Sequence, residues 1–139
     1  MKILFVCKYN RFRSKVAEAY FNKVNPNKFL KTDGAGIFGG WSPLDKLQVK
    51  IAKKYGIKME GRPESLSFAK VRDADLIIVV ADDVPRSIFK STFMGDKRVI
   101  HWKIKDVKRN ASKAERTEKS IVQIIKKVDT FLEKEQWKQ

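Results

Sequence analysis

The residues best suited to chemistry lie close together near the start of the sequence. Cys7 is the only cysteine, and Arg13 follows it six residues later, directly before Ser14. A cysteine thiolate is a strong nucleophile. A guanidinium carries a planar fork of donors that matches two phosphoryl oxygens. The spacing therefore predicts a loop in which Cys7 attacks phosphorus while Arg13 binds the phosphoryl oxygens.

The sequence on either side of this loop predicts the elements that hold it. Residues 3–6 form an apolar run typical of a buried strand, and residues 14–24 contain good helix formers with apolar residues at helical intervals. A loop that leads into a helix N-terminus directs unpaired backbone N–H groups at one point, where the helix dipole is positive. Such a loop favours both a bound phosphate and a cysteine thiolate. The alternative is that Cys7 is a small buried hydrophobic residue without a chemical role.

Two polar residues of the loop have predicted structural tasks. Asn10 suits a left-handed backbone turn, which asparagine tolerates better than most residues. Ser14 is predicted to cap the following helix and to donate a hydrogen bond to the Cys7 sulfur. The residues predicted to bind substrate or phosphate are Lys8, Tyr9, Asn10, Arg11, Phe12 and Ser14.

Length and charge limit the kind of protein that this sequence encodes. A chain of 139 residues, 42% of them hydrophobic, has the size of one ordinary domain, so we predict a single domain over residues 1–139. The net charge of +15 favours acidic partners, such as phosphorylated protein, nucleic acid or anionic lipid. No known nucleic-acid-binding motif supports the second of these. A solvated lysine-rich surface is the alternative explanation of the charge. We expect a monomer.

Cysteine content and hydropathy indicate the compartment. A single cysteine cannot form an intramolecular disulfide, and no Cys/His cluster is present to hold zinc, so we expect no metal and no cofactor. The apolar run after Met1 and Lys2 is too short for a signal peptide, and no stretch approaches the ~18 apolar residues of a transmembrane helix. We therefore expect a cytoplasmic protein with no membrane-spanning segment.

Strand and helix signals alternate along the chain. This alternation predicts an α/β fold, a three-layer doubly wound sheet of about four parallel strands with helices on both faces. Ligand sites of such sheets lie at the carboxyl ends of the strands, where Cys7 is expected. The predicted strands are residues 3–6, 28–36, 75–81 and 98–102, and the predicted helices are residues 14–24, 42–55, 84–90 and a final helix that begins with a capping box at 112–115.

Several segments together resemble one known family. Residues 7–14 match the Cys-x5-Arg-Ser loop of the low-molecular-weight protein-tyrosine phosphatases, whose fold is shared with thiol-dependent arsenate reductases. Supporting similarities lie at residues 17–19, 33–37, 55–57, 62–66 and 74–79. The resemblance covers nearly the whole chain. It implies a phosphatase that hydrolyses phosphomonoesters, protein phosphotyrosine in particular, through a cysteinyl-phosphate intermediate, with Cys7 and Arg13 as catalytic residues.

The same resemblance implies a third catalytic residue, Asp106. Expelling an alkoxide or phenoxide is slow without a general acid, whose contribution is roughly 10²–10⁴-fold. An exposed loop aspartate paired with lysines is the alternative. The family's proline after this aspartate is replaced by Val107, and its second loop cysteine by Phe12. Trp41, together with Tyr9, is a candidate for an aromatic wall of the substrate pocket, with core packing as the alternative.

Two other functions remain open on the same fold. One is arsenate reduction that uses an external thiol, because further cysteines for an intramolecular cycle are missing. The other is a basic module that binds anions or nucleic acid through the loop. His101 is interpreted as a structural histidine. Asp82 and Asp83 are predicted to cap the helix that follows them rather than to face the ligand.

Overall fold

A computed structural model describes residues 1–38, 42–89, 97–104 and 111–135. Within these ranges the backbone forms one four-stranded sheet whose strands all run parallel, in the order β2-β1-β3-β4. The strands are β1 (Lys2–Cys7), β2 (Lys31–Gly36), β3 (Leu76–Val80) and β4 (Arg98–Trp102). Each is shorter than or equal to its predicted range except β1, which extends by one residue at each end.

Helices cover both faces of this sheet, as the sequence predicts for a three-layer α/β fold. They are α1 (Arg13–Val24), α2 (Lys46–Lys54), α3 (Phe68–Asp73) and α4 (Lys113–Glu135), with a 3-10 helix at Arg86–Phe89. Alternate residues of β1 are buried in two cores. Ile3 and Phe5 pack with residues of α1, α2 and α4, whereas Leu4 and Val6 pack with Val71 of α3. The predicted fold class is confirmed.

The start of the second helix differs from the sequence prediction, whereas that of the last helix agrees with it. The second helix begins at Lys46, not at Ser42, because the Asp45 side chain accepts a hydrogen bond from the Gln48 backbone N–H at 3.0 Å and so caps it. The capping box before α4 is present in part, since Ser112 Oγ accepts from the Glu115 N–H at 3.1 Å. The predicted helix at 84–90 is only a short 3-10 helix.

One helix is missing from the sequence prediction altogether. The α3 helix has six residues, which is too few for an apolar periodicity to be seen. Its start is marked only by Ser67, whose side chain accepts from the Lys70 N–H. Among the described residues, no helix is long and apolar enough to cross a membrane.

The carboxyl end of β1 determines where the candidate loop lies. Cys7 is the last residue of β1 and is 2% exposed, so the loop begins at the carboxyl edge of the sheet, next to the end of β2. There Gly36 faces the loop backbone. A Cβ at Gly36 would lie 2.4 Å from the Tyr9 carbonyl carbon and 2.7 Å from the Asn10 nitrogen. Only glycine therefore permits the loop to pass this close to β2.

Replacing Gly36 by alanine should displace the loop. We expect Gly36→Ala to lower the free energy of unfolding by about 1–3 kcal/mol, as overpacking against backbone does, and to abolish the rise in melting temperature that vanadate or phosphate produces in the parent. Differential scanning fluorimetry and urea titration measure both effects.

Gly61→Ala provides a matched control. Gly61 has φ +86°, so alanine there is destabilising by about 1–2 kcal/mol, yet its Cβ would meet only the far end of the Lys15 side chain. This variant should keep the oxyanion response. Equal losses of that response in the two variants would show that the close approach at Gly36 is unimportant.

Candidate active site

The Cys7 sulfur contacts two hydrogen-bonding groups of the loop that follows β1. The Asn10 backbone N–H donates to Sγ at 3.2 Å, and Ser14 Oγ lies 3.0 Å from Sγ. Because Ser14 Oγ also accepts from Asn10 Nδ2 at 2.6 Å, its own proton is free to point at the sulfur. Two donors directed at one sulfur stabilise negative charge there.

Asn10 holds the loop in its shape. It is 1% exposed and has φ 55°, the left-handed conformation that the sequence predicts. Its Oδ1 accepts from the Glu64 backbone N–H at 3.0 Å, which leaves Nδ2 for Ser14. One side chain therefore connects the cysteine loop to the segment before α3.

That segment, residues 62–66, supports the loop and is itself hydrogen-bonded to the end of β2. Gly36 N–H donates to Glu64 O at 2.8 Å, and Leu66 N–H donates back to Gly36 O at 2.7 Å. Lys70 of α3 then contacts the Asp33 and Glu64 carboxylates at 2.8 and 3.2 Å. Burial lowers the pKa of Lys70, but the hydrogen bonds to these two carboxylates outweigh it, so the pKa is raised. Lys70 is therefore a cation that holds residues 62–66 beside β2 through the Glu64 and Asp33 carboxylates.

Arg13 is the first residue of α1 and is oriented by acidic partners. Its guanidinium lies 3.0 Å from Asp83 and 3.6 Å from Asp82, the two carboxylates that follow β3. The prediction that these aspartates cap the next helix missed this contact, because sequence cannot show that the end of β3 lies beside the start of α1. The pair holds Arg13 at the edge of the loop.

Ser14 does not cap α1, contrary to the prediction. The N-cap position is Phe12, which makes no side-chain capping bond, and Ser14 lies inside the first turn. The reason is that the helix begins one residue earlier than expected, so the Ser14 hydroxyl points back to the sulfur instead of to the helix N–H groups. Its predicted contact with Cys7 is present.

A cavity of about 370 Å³ opens beside the sulfur. One side is formed by the cysteine loop and the other by the first turns of α2 and α4. The aromatic ring of Tyr9 packs on Phe38 with centroids 5.8 Å apart, and Lys8 Nζ lies 5.5 Å from the Tyr9 centroid. The residues that line the cavity are Cys7, Tyr9, Arg11, Phe12, Arg13, Asp45, Gln48, Lys113, Arg116, Thr117 and Ser120.

The predicted site residues occupy three kinds of position. Five of them line this cavity, while Asn10 and Ser14 lie beside the sulfur and Lys8 lies over the Tyr9 ring. Asp106 and Trp41 fall outside the described residues, so their predicted roles stay predictions. Sequence reasoning missed the contributions of α2 and α4. The capping box located the start of α4, but nothing in the sequence told which of its faces would meet the loop.

His101 is placed apart from the sulfur. Its Nε2 lies 3.0 Å from the Val84 carbonyl oxygen and so carries a proton that it donates there. Burial, followed by the charges of Arg86 and Lys103, lowers the pKa of His101. Among the described residues no group of three or more His, Cys, Asp or Glu could hold a metal ion. His101 therefore has a structural contact at the end of β4.

Three comparisons relate this chain to known proteins. The family model for low molecular weight phosphotyrosine protein phosphatases matches residues 2–136. A probable low molecular weight protein-tyrosine-phosphatase EpsP from Ralstonia solanacearum is 33% identical over 87 residues, which is 62% of this chain and 59% of that relative. The chain thus spans well under two thirds of that curated relative in the match.

Solved structures agree on the fold. A low molecular weight protein tyrosine phosphatase from T. tengcongensis is 27% identical, with a TM-score of 0.77 over 96% of this chain and 99% of that one. The YwlE arginine phosphatase from Geobacillus stearothermophilus is 21% identical, with a TM-score of 0.79 over 99% and 94% of the two chains. The second likeness concerns the fold alone.

Substitutions of Asn10 should distinguish the contribution of its side chain to stability from that of its backbone conformation. Asn10→Gly keeps the left-handed conformation and loses the bonds to Glu64 and Ser14, whereas Asn10→Ala adds about 1–2 kcal/mol of backbone strain. We therefore expect the free energy of unfolding, measured by urea titration, to be highest for the parent, lower for Asn10→Gly and lowest for Asn10→Ala. Asn22→Ala, which removes an exposed bond to Thr32, is the control. Equal stability of all four proteins would contradict this role.

Glu18 of α1 should give the stability a defined pH dependence. Burial raises the pKa of Glu18 above 4.5, and nearby Asp33 adds to the shift, although a hydrogen bond from Thr32 opposes it. The folded state then binds a proton more tightly than the unfolded state. Its contribution to stability is full below pH 4.5 and is lost as pH rises through the raised pKa. Urea titrations should therefore show that the free energy of unfolding of the parent falls relative to that of Glu18→Gln as pH rises through this window. A difference between the two proteins that does not change with pH would contradict this role of Glu18.

Proposed function

Because this chain belongs to the low molecular weight phosphotyrosine protein phosphatase family, we propose that it is a cysteine-dependent phosphatase that hydrolyses phosphomonoesters, with protein phosphotyrosine as its substrate. Cys7 Sγ attacks phosphorus, so that an S–P bond forms while the P–O bond to the leaving group breaks. Water then attacks the cysteinyl phosphate, the S–P bond breaks, and inorganic phosphate leaves.

The observation that carries this proposal is the hydrogen bonding of the sulfur. Ser14 Oγ and the Asn10 N–H approach Sγ at 3.0 and 3.2 Å, at the N-terminus of α1, where the helix dipole is positive. A buried cysteine that served only as packing would not need polar donors aimed at it. The same donors stabilise the thiolate both as attacking group and as leaving group.

Arg13 is the proposed phosphoryl clamp. Its side chain is 18% exposed and pairs with Asp82 and Asp83 before substrate arrives. The two carboxylates orient the guanidinium, so that less rotational freedom is lost when phosphoryl oxygens bind it. The guanidinium can then stabilise the charge that develops on those oxygens in the transition state.

Asp106 is the proposed general acid and base. It would give a proton to the leaving oxygen in the first step and accept one from the attacking water in the second. Ile104, which follows β4, is buried, and Lys113 lines the cavity that contains Cys7. Asp106 precedes Lys113 by seven residues, and this closeness in sequence supports the proposal.

Features of the cavity favour an aryl phosphate over phosphoarginine. Tyr9 and Phe38 form an exposed aromatic pair at the loop, suited to packing against a phenyl ring. Phosphoarginine carries a cationic guanidinium, which the lining residues Arg11 and Arg116 would repel. The phosphorylated partner is therefore proposed to be a phosphotyrosine protein. A monomeric state, a cytoplasmic location and the single domain remain predictions.

The test is a set of hydrolysis rates measured in chelator with two aryl phosphates. The parent should hydrolyse 4-nitrophenyl phosphate and phenyl phosphate, and Cys7→Ser should hydrolyse neither. Asp106→Asn should lose roughly 10²–10⁴-fold on phenyl phosphate, whose leaving group needs a proton, and much less on 4-nitrophenyl phosphate. Asp73→Asn, an exposed aspartate of α3 paired with Arg72, is the matched control.

Three outcomes would point elsewhere. Equal rates in the parent and Cys7→Ser would exclude the cysteine mechanism. Arsenate reduction with an added thiol, without phosphatase activity, would favour the reductase alternative. Nucleic-acid binding that weakens steeply with salt and survives Cys7→Ser would favour the binding module.

A further inference from the structure

The cavity beside Cys7 contains more positive charge than one phosphoryl group needs. Among the described residues, four cationic side chains line it together with one carboxylate, that of Asp45. The lining cations are Arg11, Arg13, Lys113 and Arg116.

Two of these cations already have acidic partners. Arg13 pairs with Asp82 and Asp83 at the edge of the loop. Lys113 pairs with the Asp45 carboxylate, which also caps α2. Hydrogen bonding to Lys113 is the largest cause that lowers the pKa of Asp45, so this carboxylate is ionised at neutral pH and committed to its partners.

The other two have no carboxylate partner among the described residues. Arg11 Nη2 donates only to the Pro43 carbonyl oxygen at 2.9 Å, and its Nε is buried without a hydrogen-bond partner in the described part of the chain. Arg116 is exposed on the first turns of α4 and forms no ion pair with a described side chain. Two guanidinium groups thus remain for an anion that enters the cavity.

Hydroxyl groups on the same helix add to this surface. Thr117 is 3% exposed, and both Thr117 and Ser120 line the cavity wall next to Arg116. Guanidinium and hydroxyl donors on one wall match the oxygens of a carboxylate or a phosphate. The wall therefore has the chemistry of an anion subsite, at a different position from the donors that surround the sulfur.

We infer that the enzyme prefers phosphomonoesters whose leaving group carries a second anionic group, and that Arg116 and Arg11 bind this group. The inference rests on the proposed function, because it places the scissile phosphate at Cys7. In a phosphotyrosine protein the second anion is a neighbouring aspartate or glutamate side chain, or a neighbouring phosphate. Arg116 is the specificity-determining residue in this account.

The experiment compares phosphotyrosine peptides that differ only in charge. One peptide has glutamate on both sides of the phosphotyrosine, the second has glutamine, and the third has a phosphoserine at one of these positions. The phenol is the same in all three, so its leaving ability does not change. For the parent, kcat/KM should be about two- to tenfold higher for the glutamate peptide than for the glutamine peptide at low salt.

Variants of α4 localise the effect. Arg116→Gln should bring the two kcat/KM values to within about twofold of each other, and Arg116→Lys should restore most of the preference. Lys134→Gln is the control, because it removes the same charge from the same helix about 27 Å from Arg116 at 1.5 Å rise per residue. That distance exceeds the Debye length of about 10 Å at 0.1 M salt. The control should keep the parent's preference.

The outcomes distinguish the two proposals. A preference for the phosphoserine peptide alone assigns the second anion as a phosphate and supports the subsite. Equal hydrolysis of all three peptides, or an equal change in Arg116→Gln and Lys134→Gln, overturns the subsite and leaves the phosphatase proposal standing. Failure to hydrolyse any peptide or phenyl phosphate overturns both.

Discussion

The contact between the Ser14 hydroxyl and the Cys7 sulfur depends on a chain of hydrogen bonds that leads away from the site. Ser14 can direct its proton to the sulfur because Asn10 Nδ2 donates to its oxygen. Asn10 is oriented in turn by the Glu64 N–H. Each link restricts the next, so the geometry at the sulfur depends also on Glu64, which makes no hydrogen bond to the sulfur.

The sheet supplies the rigid base for this chain of bonds. Buried residues of β1 pack on both faces, which fixes the position of Cys7 at the strand end. Gly36 at the end of β2 lets the loop backbone lie close against the sheet, and Lys70 holds the supporting segment through Asp33 and Glu64. Side chains placed on such a base lose little freedom when a ligand binds.

The position of the loop between β1 and α1 could be predicted from sequence because it depends on local order. Cys7 follows an apolar run, Arg13 comes six residues later, and a helix pattern begins there. The left-handed Asn10 and the apolar run of β3 follow from the same local reasoning. Local propensities and the parallel α/β pattern were therefore enough for the fold class and for the placement of the loop that joins β1 to α1.

What sequence could not supply were contacts between distant segments. Nothing local indicates that Asp82 and Asp83 meet Arg13, since seventy residues separate Asp83 from Arg13. Arg116 is an ordinary charged residue of an amphipathic helix until α4 is packed beside the loop. The starts of α1 and α2 were shifted because Phe12 and Asp45 occupy the cap positions, a choice that tertiary contacts decide.

The reactivity of Cys7 reports whether the hydrogen bonds from Asn10 and Ser14 activate the sulfur. Alkylation by iodoacetamide at neutral pH, followed by mass spectrometry, measures it without any assumption about substrate. We expect modification of Cys7 to be faster than that of a free cysteine, and to be strongly slowed by inorganic phosphate or vanadate. Slow modification that neither oxyanion changes would contradict it.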